Sequence, residues 1–174
     1  MVIATHAHAD HVGGLDDVFK AYSIDTLLMS GSTSTSVTWK DFQNEFLSEP
    51  NCTKITDANM KIPFGPEATI NAIDPGDDFS NENNNSVVIT LQYGDVIIAF
   101  MGDLESDAEA IIKSNIGDID VLKAGHHGSV TASSAEFLAA TAPEVVIVSA
   151  GTGNTYGHPH LETMERFSAA GAIV

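Results

Sequence analysis

The most informative segment of the sequence runs from residue 5 to residue 14 and reads Thr-His-Ala-His-Ala-Asp-His-Val-Gly-Gly. In an extended chain, side chains two positions apart point to the same side, so His6 and His8 can bind one metal ion. Asp10 and His11 follow on a turning segment and can face a second ion close by. Neutral imidazoles together with a carboxylate are the ligands expected for zinc or a similar first-row metal. This stretch therefore predicts a metal site that begins at His6.

The remaining histidines of the chain also occur in groups. Of the seven histidines, His126 and His127 are adjacent, and one proline separates His158 from His160. The interval between His11 and His126 contains no histidine. A histidine packed in a core usually occurs singly, so grouping at predicted strand ends favours metal ligation over packing.

Apolar patterning predicts strands and helices that alternate along the chain around a central hairpin. The predicted strands cover residues 2–5, 26–29, 86–93, 96–101, 121–124 and 145–149, with small edge strands between residues 51 and 73. The predicted helices follow Gly13-Gly14 and cover residues 36–49, 106–115, 133–141 and 161–170. The polar segment 74–85 is predicted to be a long surface loop. This order is typical of an α/β or α+β domain with layered packing.

The composition limits the partners of the protein. Its 174 residues, 43% of them hydrophobic, are sufficient for one domain with a buried core. Acidic residues outnumber basic residues 24 to 7, and the net charge of -17 excludes an extended nucleic-acid-binding surface. No apolar run approaches the length of a membrane span. The lone Cys52 excludes an internal disulfide and a thiolate metal cluster.

The acid excess fits a saline or extracytoplasmic setting but does not locate the protein, and no oligomeric state is predicted. A few phosphates could still be held locally at a metal site, because bound cations offset the surrounding negative charge.

Several short motifs, ordered along the chain, resemble one enzyme family. They are residues 5–14, Asn84-Asn85-Ser86, Gly102-Asp103, Gly125-His126-His127-Gly128-Ser129 and Asn154-Thr155-Tyr156-Gly157-His158-Pro159. The first is similar to the His-x-His-x-Asp-His signature of the metallo-β-lactamase superfamily. The others resemble the hydrolase domain of bacterial competence (ComEC-type) DNA-uptake proteins and its stand-alone relatives. The resemblance implies an α+β fold, a four-layer αββα sandwich, and a hydrolase with two zinc ions.

The resemblance also implies roles for individual residues of the segment 5–14 and for Asp103. His6 and His8 would bind the first ion, and Asp10 and His11 would bind the second. Asp103, at the end of a predicted strand, would bridge the two ions with its two oxygens. Asp10 and Asp103 would also orient the attacking nucleophile.

The later histidines leave alternatives open. His126 or His127 would supply the last ligand of the second ion. We favour His126 as this metal ligand, because it directly follows the strand-ending glycine. His127 would then act as a hydrogen-bonding or catalytic residue. His158 is either part of a loop that begins a helix or a catalytic contact at the rim of the site, and His160 is expected at the surface.

Two features depart from the family pattern. Most members carry a further histidine, a ligand of the first ion, before the bridging aspartate, whereas the region 83–86 occupies that place here. Asn85, Ser86, His158 or water would then complete the first ion's shell. The histidine loop also arrives at residue 6, and the chain stops at Val174. We therefore expect residues 1–174 to form a single metallo-β-lactamase-like domain that lacks N-terminal strands and the C-terminal end, and to be poorly soluble or inactive alone.

The expected reaction is metal-assisted hydrolysis, in which a hydroxide between two zinc ions attacks the substrate. Mn²⁺ or iron could replace zinc. The resemblance favours a phosphodiester, either a small molecule or a nucleic-acid end. His126, His127 or His158 would stabilise the developing charge or assist the leaving group. One alternative is a hydrolase of esters, lactones or lactams. Another is an iron-dependent redox enzyme, disfavoured by His8 where redox members usually carry an acid. A third is a non-catalytic metal-binding module.

Overall fold

The computed structural model describes residues 1–56, 59–76 and 79–174. Its strands are β1 (Val2–Ala4), β2 (Thr26–Met29), β3 (Thr53–Thr56), β4 (Met60–Phe64), β5 (Ala68–Ile73), β6 (Val88–Tyr93), β7 (Val96–Phe100), β8 (Val121–Lys123) and β9 (Val145–Ile147). Its α-helices are α1 (Ala9–Val12), α2 (Leu15–Ala21), α3 (Val37–Ser48), α4 (Ser106–Ile116), α5 (Ala135–Thr141) and α6 (Leu161–Ala169). The alternation predicted from the sequence is confirmed, and α1 is an added helical turn within the histidine stretch.

Strands β1, β2 and β3 form a three-stranded parallel sheet in that order, with Val2 opposite Leu27 and Thr26 opposite Thr53. One face of this sheet is covered by α2 and α3. Ser36 begins α3 by accepting a hydrogen bond from the backbone N–H of Trp39 at 3.1 Å. The apolar cluster between sheet and helices includes Phe19, Leu27, Met29, Trp39, Phe42 and Phe46.

The second sheet has six strands in the order β4-β5-β6-β7-β8-β9. Neighbours from β4 to β7 are antiparallel, whereas β7, β8 and β9 are parallel. Helices α4 and α5 connect the parallel strands and, with α6, cover one face of the sheet. The cluster between these layers includes Met101, Ile112, Leu122, Phe137, Leu138 and Phe167.

A third apolar cluster lies between the two sheets and is built from Leu28, Ile70, Ala72, Val87 and Ile89. The layers therefore follow the order helices, sheet, sheet, helices, which confirms the predicted αββα sandwich. Each cluster buries one face of a sheet, as layered packing requires. No helix in residues 1–56, 59–76 and 79–174 is long and apolar enough to cross a membrane.

The segment 74–85 differs from the predicted surface loop. Residues Glu82–Asn85 form a 3₁₀ turn, and Asn83, Asn84 and Asn85 are buried. Each side chain makes at least one hydrogen bond: Asn83 Nδ2 donates to Glu105 Oε1 at 2.9 Å, Asn84 Oδ1 accepts from the backbone N–H of Glu105 at 2.9 Å, and Asn85 Nδ2 donates to the carbonyl of Phe79 at 3.2 Å. Asn83 Oδ1 and Asn85 Oδ1 are buried without a partner in the described residues. Residues 77 and 78 lie outside the described ranges.

The ends of four strands meet at one edge of the sandwich. His6 follows β1, Asp103 follows β7, the His126-His127 pair follows β8, and Ser149 follows β9. A hydrogen bond of 2.9 Å from the backbone N–H of Val87 to the carbonyl of Thr5 joins the two sheets beside this edge. Residues far apart in the sequence are thereby brought to a common site.

Candidate metal centre

The first group of ligand atoms comes from His6, His8 and Asp103. His6 is buried directly after β1, and its Nε2 lies 3.0 Å from Nδ1 of His8. Asp103 Oδ2 lies 3.9 Å from His6 Nε2. Two imidazole nitrogens and a carboxylate oxygen at these separations can bind one metal ion.

The second group is formed by Asp10, His11, Asp103 and His127. Asp103 Oδ1 lies 3.1 Å from His11 Nε2 and 3.5 Å from His127 Nε2. Asp10 Oδ2 lies 3.3 Å from His127 Nε2 and 3.6 Å from His11 Nε2. Asp103 thus belongs to both groups, with Oδ2 facing the first and Oδ1 facing the second.

Three of these atoms are buried polar atoms that have no hydrogen-bond partner in the described part of the chain: His11 Nε2, His127 Nε2 and Asp103 Oδ1. Buried polar atoms without a partner are costly and uncommon in folded proteins. One bound cation would give all three atoms a partner, because the carboxylate oxygen and each neutral imidazole nitrogen can offer a lone pair to it. The residues therefore fit the metal that the sequence predicted.

The protonation states of the buried residues also fit metal binding. Burial, supported by the neighbouring imidazole of His11, lowers the pKa of His6 to about 3. For Asp103, burial acts to raise the pKa, but the contact with His11 and the nearby imidazoles of His126 and His6 lower it to about 2. At neutral pH His6 is uncharged and Asp103 is ionised, and these are the forms that bind metal ions.

Side chains around the two groups hold the ligands in place. Ser86 Oγ lies 3.2 Å from His6 Nδ1 and accepts from the backbone N–H of Asp103 at 3.2 Å. His8 Nε2 donates to Glu82 Oε2 at 3.0 Å, which leaves Nδ1 of His8 free to bind metal. Such outer partners set the tautomer and orientation of a ligand. Ser86 lies in a motif found in the sequence, whereas no sequence signal marked Glu82.

The two adjacent histidines point to different places. Both have a left-handed backbone conformation, with φ of 44° for His126 and 53° for His127. His127 Nδ1 donates to the carbonyl of Ser149 at 2.9 Å, and its Nε2 faces Asp10 and Asp103. His126 Nδ1 instead lies 3.1 Å from Glu105 Oε1. The sequence favoured His126 as the ligand beside Asp10, but the backbone geometry brings His127 to that position.

His158 lies at the rim of a cavity of about 450 Å³, which is lined by His8, Ala9, Asp10, Asn83, Asp103, His126, His127, Tyr156 and His158. Its ring centroid is 5.3 Å from that of His126, and Tyr156 stacks against it at 5.7 Å. Burial, with the nearby imidazoles of His126, His160 and His127, lowers the pKa of His158. His160 has a structural role, because its Nδ1 accepts from the backbone N–H of Val130 at 3.0 Å.

Comparison with known proteins identifies the family. A sequence model described as the metallo-beta-lactamase superfamily matches residues 2–152. The chain belongs to the metallo-β-lactamase superfamily. This superfamily has a hydrolase fold, and the resemblance seen in the sequence motifs is confirmed.

Two curated relatives of this metallo-β-lactamase chain are bacterial proteins. Recombination protein 2 of Haemophilus influenzae is 31% identical over 166 residues, which are 95% of this chain and 19% of the relative. ComE operon protein 3 of Bacillus subtilis is 30% identical over 175 residues, covering 94% of this chain and 21% of the relative. The chain therefore spans about a fifth of the length of these relatives.

A solved structure agrees with the fold of this metallo-β-lactamase chain. The metallo-beta-lactamase fold protein YhfI from Bacillus subtilis superimposes with a TM-score of 0.61 at 15% identity. The superposition covers 99% of this chain and 72% of YhfI. At this identity the likeness shows a common fold.

Proposed function

We propose that this chain is a metal-dependent phosphodiesterase. It binds two divalent ions, preferably Zn²⁺, at the edge of the sandwich where β1, β7 and β8 end. The observation that carries the proposal is Asp103, whose two oxygens each face a separate group of ligand atoms. A carboxylate in this position can hold two ions side by side, which is the arrangement that hydrolysis of phosphate esters commonly uses.

The proposed ligands of the first ion are His6, His8 and Asp103, and those of the second are Asp10, His11, His127 and Asp103. Divalent ions bound there supply Lewis acidity and lower the pKa of water towards about 7, as zinc does in hydrolases. The ligands contain imidazole and carboxylate groups without a thiolate, which suits zinc and also permits manganese or iron.

The protein's own groups hold and orient the reactants. Asp10 is largely exposed to the cavity, with a side-chain exposure of 63%, so its carboxylate can orient an attacking water. His158, which lines the same cavity, is neutral because its pKa is lowered, and its ring N–H can donate a hydrogen bond that stabilises the charge on the leaving oxygen as the phosphorus–oxygen bond breaks. Neither role requires a serine or cysteine nucleophile.

The proposed substrate is a small phosphodiester or the end of a nucleic-acid strand. The cavity volume of about 450 Å³ admits a group of that size, and the net charge of -17 opposes binding of a long polyanion along the surface. The similarity to a relative named Recombination protein 2 also supports a function connected with nucleic acid. The end of a nucleic-acid strand that enters the cavity is consistent with both the net charge and the similarity to this relative.

The test compares zinc content and hydrolysis of an activated phosphodiester between the wild-type protein and Asp10→Ala. We expect hydrolysis to fall at least 100-fold in the variant, because Asp10 is placed both as a metal ligand and beside the nucleophile. Asp95→Ala is the matched control, since Asp95 is exposed in the hairpin turn at the opposite end of β7. Undiminished activity in Asp10→Ala would contradict the two-metal mechanism.

A substrate panel separates the alternatives. Turnover of a lactone or a chromogenic lactam in preference to the phosphodiester would favour an ester or lactam hydrolase on the same fold. An iron chromophore with redox activity would favour the iron-dependent alternative. Retained metal without turnover of any member of the panel would favour a non-catalytic metal-binding module.

A further inference from the structure

The first metal site has fewer protein ligands than the second. Its group contains His6 and His8 with Oδ2 of the shared Asp103, whereas the second group has three residues of its own in addition to Asp103. The chain contains no histidine between His11 and His126 that could add to the first group. An additional ligand must come from elsewhere in the fold or from water.

Of the three side chains that the sequence offered for this position, Ser86 and His158 are engaged or remote, whereas Oδ1 of Asn85 is buried without a hydrogen-bond partner in the described residues. Ser86 Oγ is held by His6 Nδ1 and the backbone N–H of Asp103, on the side of the ring opposite Nε2. Asn85 donates its amide to the carbonyl of Phe79. His158 has no ring nitrogen within 4.0 Å of a carboxylate oxygen of Asp103 in the described structure, and its ring stacks with Tyr156.

His126 approaches the correct oxygen of the bridging carboxylate. Its Nε2 lies 3.8 Å from Asp103 Oδ2, the oxygen that His6 Nε2 approaches to 3.9 Å. His11 and His127 approach the other oxygen, Oδ1. His126 therefore lies on the side of the first group, and the left-handed backbone at residues 126 and 127 separates the two rings in this way.

Glu105 fixes the orientation and the tautomer of His126. Its Oε1 lies 3.1 Å from His126 Nδ1, so the proton on Nδ1 points to Glu105 and Nε2 carries the lone pair. Glu105 is itself held by Asn83 Nδ2 at 2.9 Å and Asn81 Nδ2 at 3.0 Å, and its backbone N–H donates to Asn84 Oδ1. An imidazole whose second nitrogen donates to a fixed carboxylate is the usual arrangement of a metal-ligating histidine.

We propose that His126 is the third histidine of the first metal site and that Glu105 is its positioning residue. The proposal rests on the two-metal function above. The ligands of the first ion are then His6, His8, His126 and Asp103. The histidine after β8 replaces the ligand histidine that most members of the superfamily carry before the bridging aspartate. The buried Asn83 and Asn84 then serve to hold Glu105, and through it His126.

The first experiment measures zinc bound at equilibrium by the full chain, using zinc chloride alone as the probe. We expect two equivalents for the wild type and one for His126→Ala, with the second group retained. His158→Ala is the control for metal content, because His158 lines the cavity without approaching Asp103, and it should keep two equivalents. Circular dichroism verifies that each variant is folded.

A second measurement uses the wild-type protein and does not depend on the folding of a variant. Long-range ¹H–¹⁵N spectra of the histidine rings report each ring nitrogen as protonated, free or metal-bound. On zinc addition, the Nε2 resonances of His126 and His6 should move together, whereas Nε2 of His158 should not shift to a metal-bound position. A stationary His126 Nε2 resonance would overturn the proposal.

The role of Glu105 is tested with Glu105→Gln, which removes the charge and one acceptor. The dissociation constant of the weaker zinc equivalent should rise about 10- to 100-fold, the usual effect of losing an outer partner of a ligand. In the same spectra, the Nδ1 proton of His126 should lose its strongly hydrogen-bonded shift. Glu136→Gln, at an exposed position of α5, is the matched control and should leave both properties unchanged.

The outcomes separate this proposal from the proposed function. Two equivalents with unchanged affinities in His126→Ala would overturn the role of His126 and leave the two-metal hydrolase standing. Fewer than two equivalents in the wild type would overturn both. Two equivalents without turnover of the phosphodiester would contradict the proposed function while the assignment of His126 remains supported.

Discussion

Gly102 lies at a crowded point beside the candidate metal centre. Its φ is +55°, and a Cβ built there would lie 2.9 Å from Ser86 Oγ and 3.0 Å from Thr5 Cβ. Both neighbours support His6, and the next residue is Asp103. A side chain at residue 102 would therefore displace the hydroxyl of Ser86, which contacts both His6 and the backbone N–H of Asp103.

We predict that Gly102→Ala destabilises the protein by about 1–3 kcal/mol through backbone strain and crowding, and weakens zinc binding. Gly94→Ala is the control for backbone strain, because Gly94 has φ of +59° with no atom within 4 Å of the added Cβ. Chemical denaturation and zinc titration of both variants measure the difference. Equal losses in the two variants would show that the contact with Ser86 has no effect.

The different positions of His126 and His127 depend on contacts with residues that are distant in the sequence. Residue type and position after a strand apply to both equally, so the sequence could not distinguish them. The distinction arises from positive φ angles and from partners distant in sequence, Ser149 and Glu105. Such partners cannot be inferred from local spacing.

At the scale of elements, α4 anchors the segment that follows the histidine pair. The carboxylate of Glu109, fully buried on this helix, accepts from the backbone N–H groups of Ser133 at 2.6 Å and Ser134 at 2.9 Å. Ser134 in turn begins α5 by accepting from the N–H of Phe137. Glu109 therefore fixes the path between β8 and α5, on which the metal-site histidines depend.

We predict that Glu109→Ala lowers the free energy of unfolding by about 2–3 kcal/mol, because two buried N–H groups lose their acceptor. Burial raises the pKa of Glu109 above the ordinary carboxyl value. Its contribution to stability is therefore complete below the ordinary pKa and decreases as pH rises through the raised pKa. Denaturant unfolding at pH 4 and pH 7 should show the larger loss at pH 4.

The control for this measurement is Glu165→Ala, at an exposed position of α6, which should change stability by less than about 0.5 kcal/mol. A loss in Glu109→Ala that grew with pH would contradict the direction of the pKa shift.

Most elements could be predicted because their signals are local. The strand 26–29 and the serine cap of α3 follow from an apolar run and a short-range hydrogen bond. The asparagines at residues 83–85 could not be placed, because their polarity indicates a surface and their burial depends on partners such as Glu105 and Phe79. Polar residues enter a core only where the fold supplies such partners.

At the scale of the whole molecule, the net charge of -17 acts on any polyanionic substrate before it reaches the cavity. Salt screens this repulsion, since the Debye length falls from about 30 Å at 0.01 M to about 8 Å at 0.15 M. Bound metal ions attract phosphate only over a short range.

We predict that kcat/KM for an oligonucleotide with a free end rises several-fold between about 0.01 M and 0.15 M salt, because repulsion slows association. For a small activated phosphodiester, which carries one negative charge, the change should be much smaller. Steady-state kinetics on both substrates at fixed zinc concentration measure the ratio. A fall in oligonucleotide turnover with added salt would contradict the prediction, because it would indicate a basic surface that binds the strand.

The family, the layered α+β fold and the residue types of the candidate metal centre could be predicted from the sequence, because the histidine stretch is contiguous and periodicity is a local property. Which histidine lies beside Asp10 and which approaches the first group depends on the tertiary structure. The contacts of Glu82, Ser86 and Glu105 with the proposed ligands depend on it as well. These contacts join strand ends from two sheets. They depend on the meeting of distant segments at one edge of the sandwich, which the order of residues does not specify.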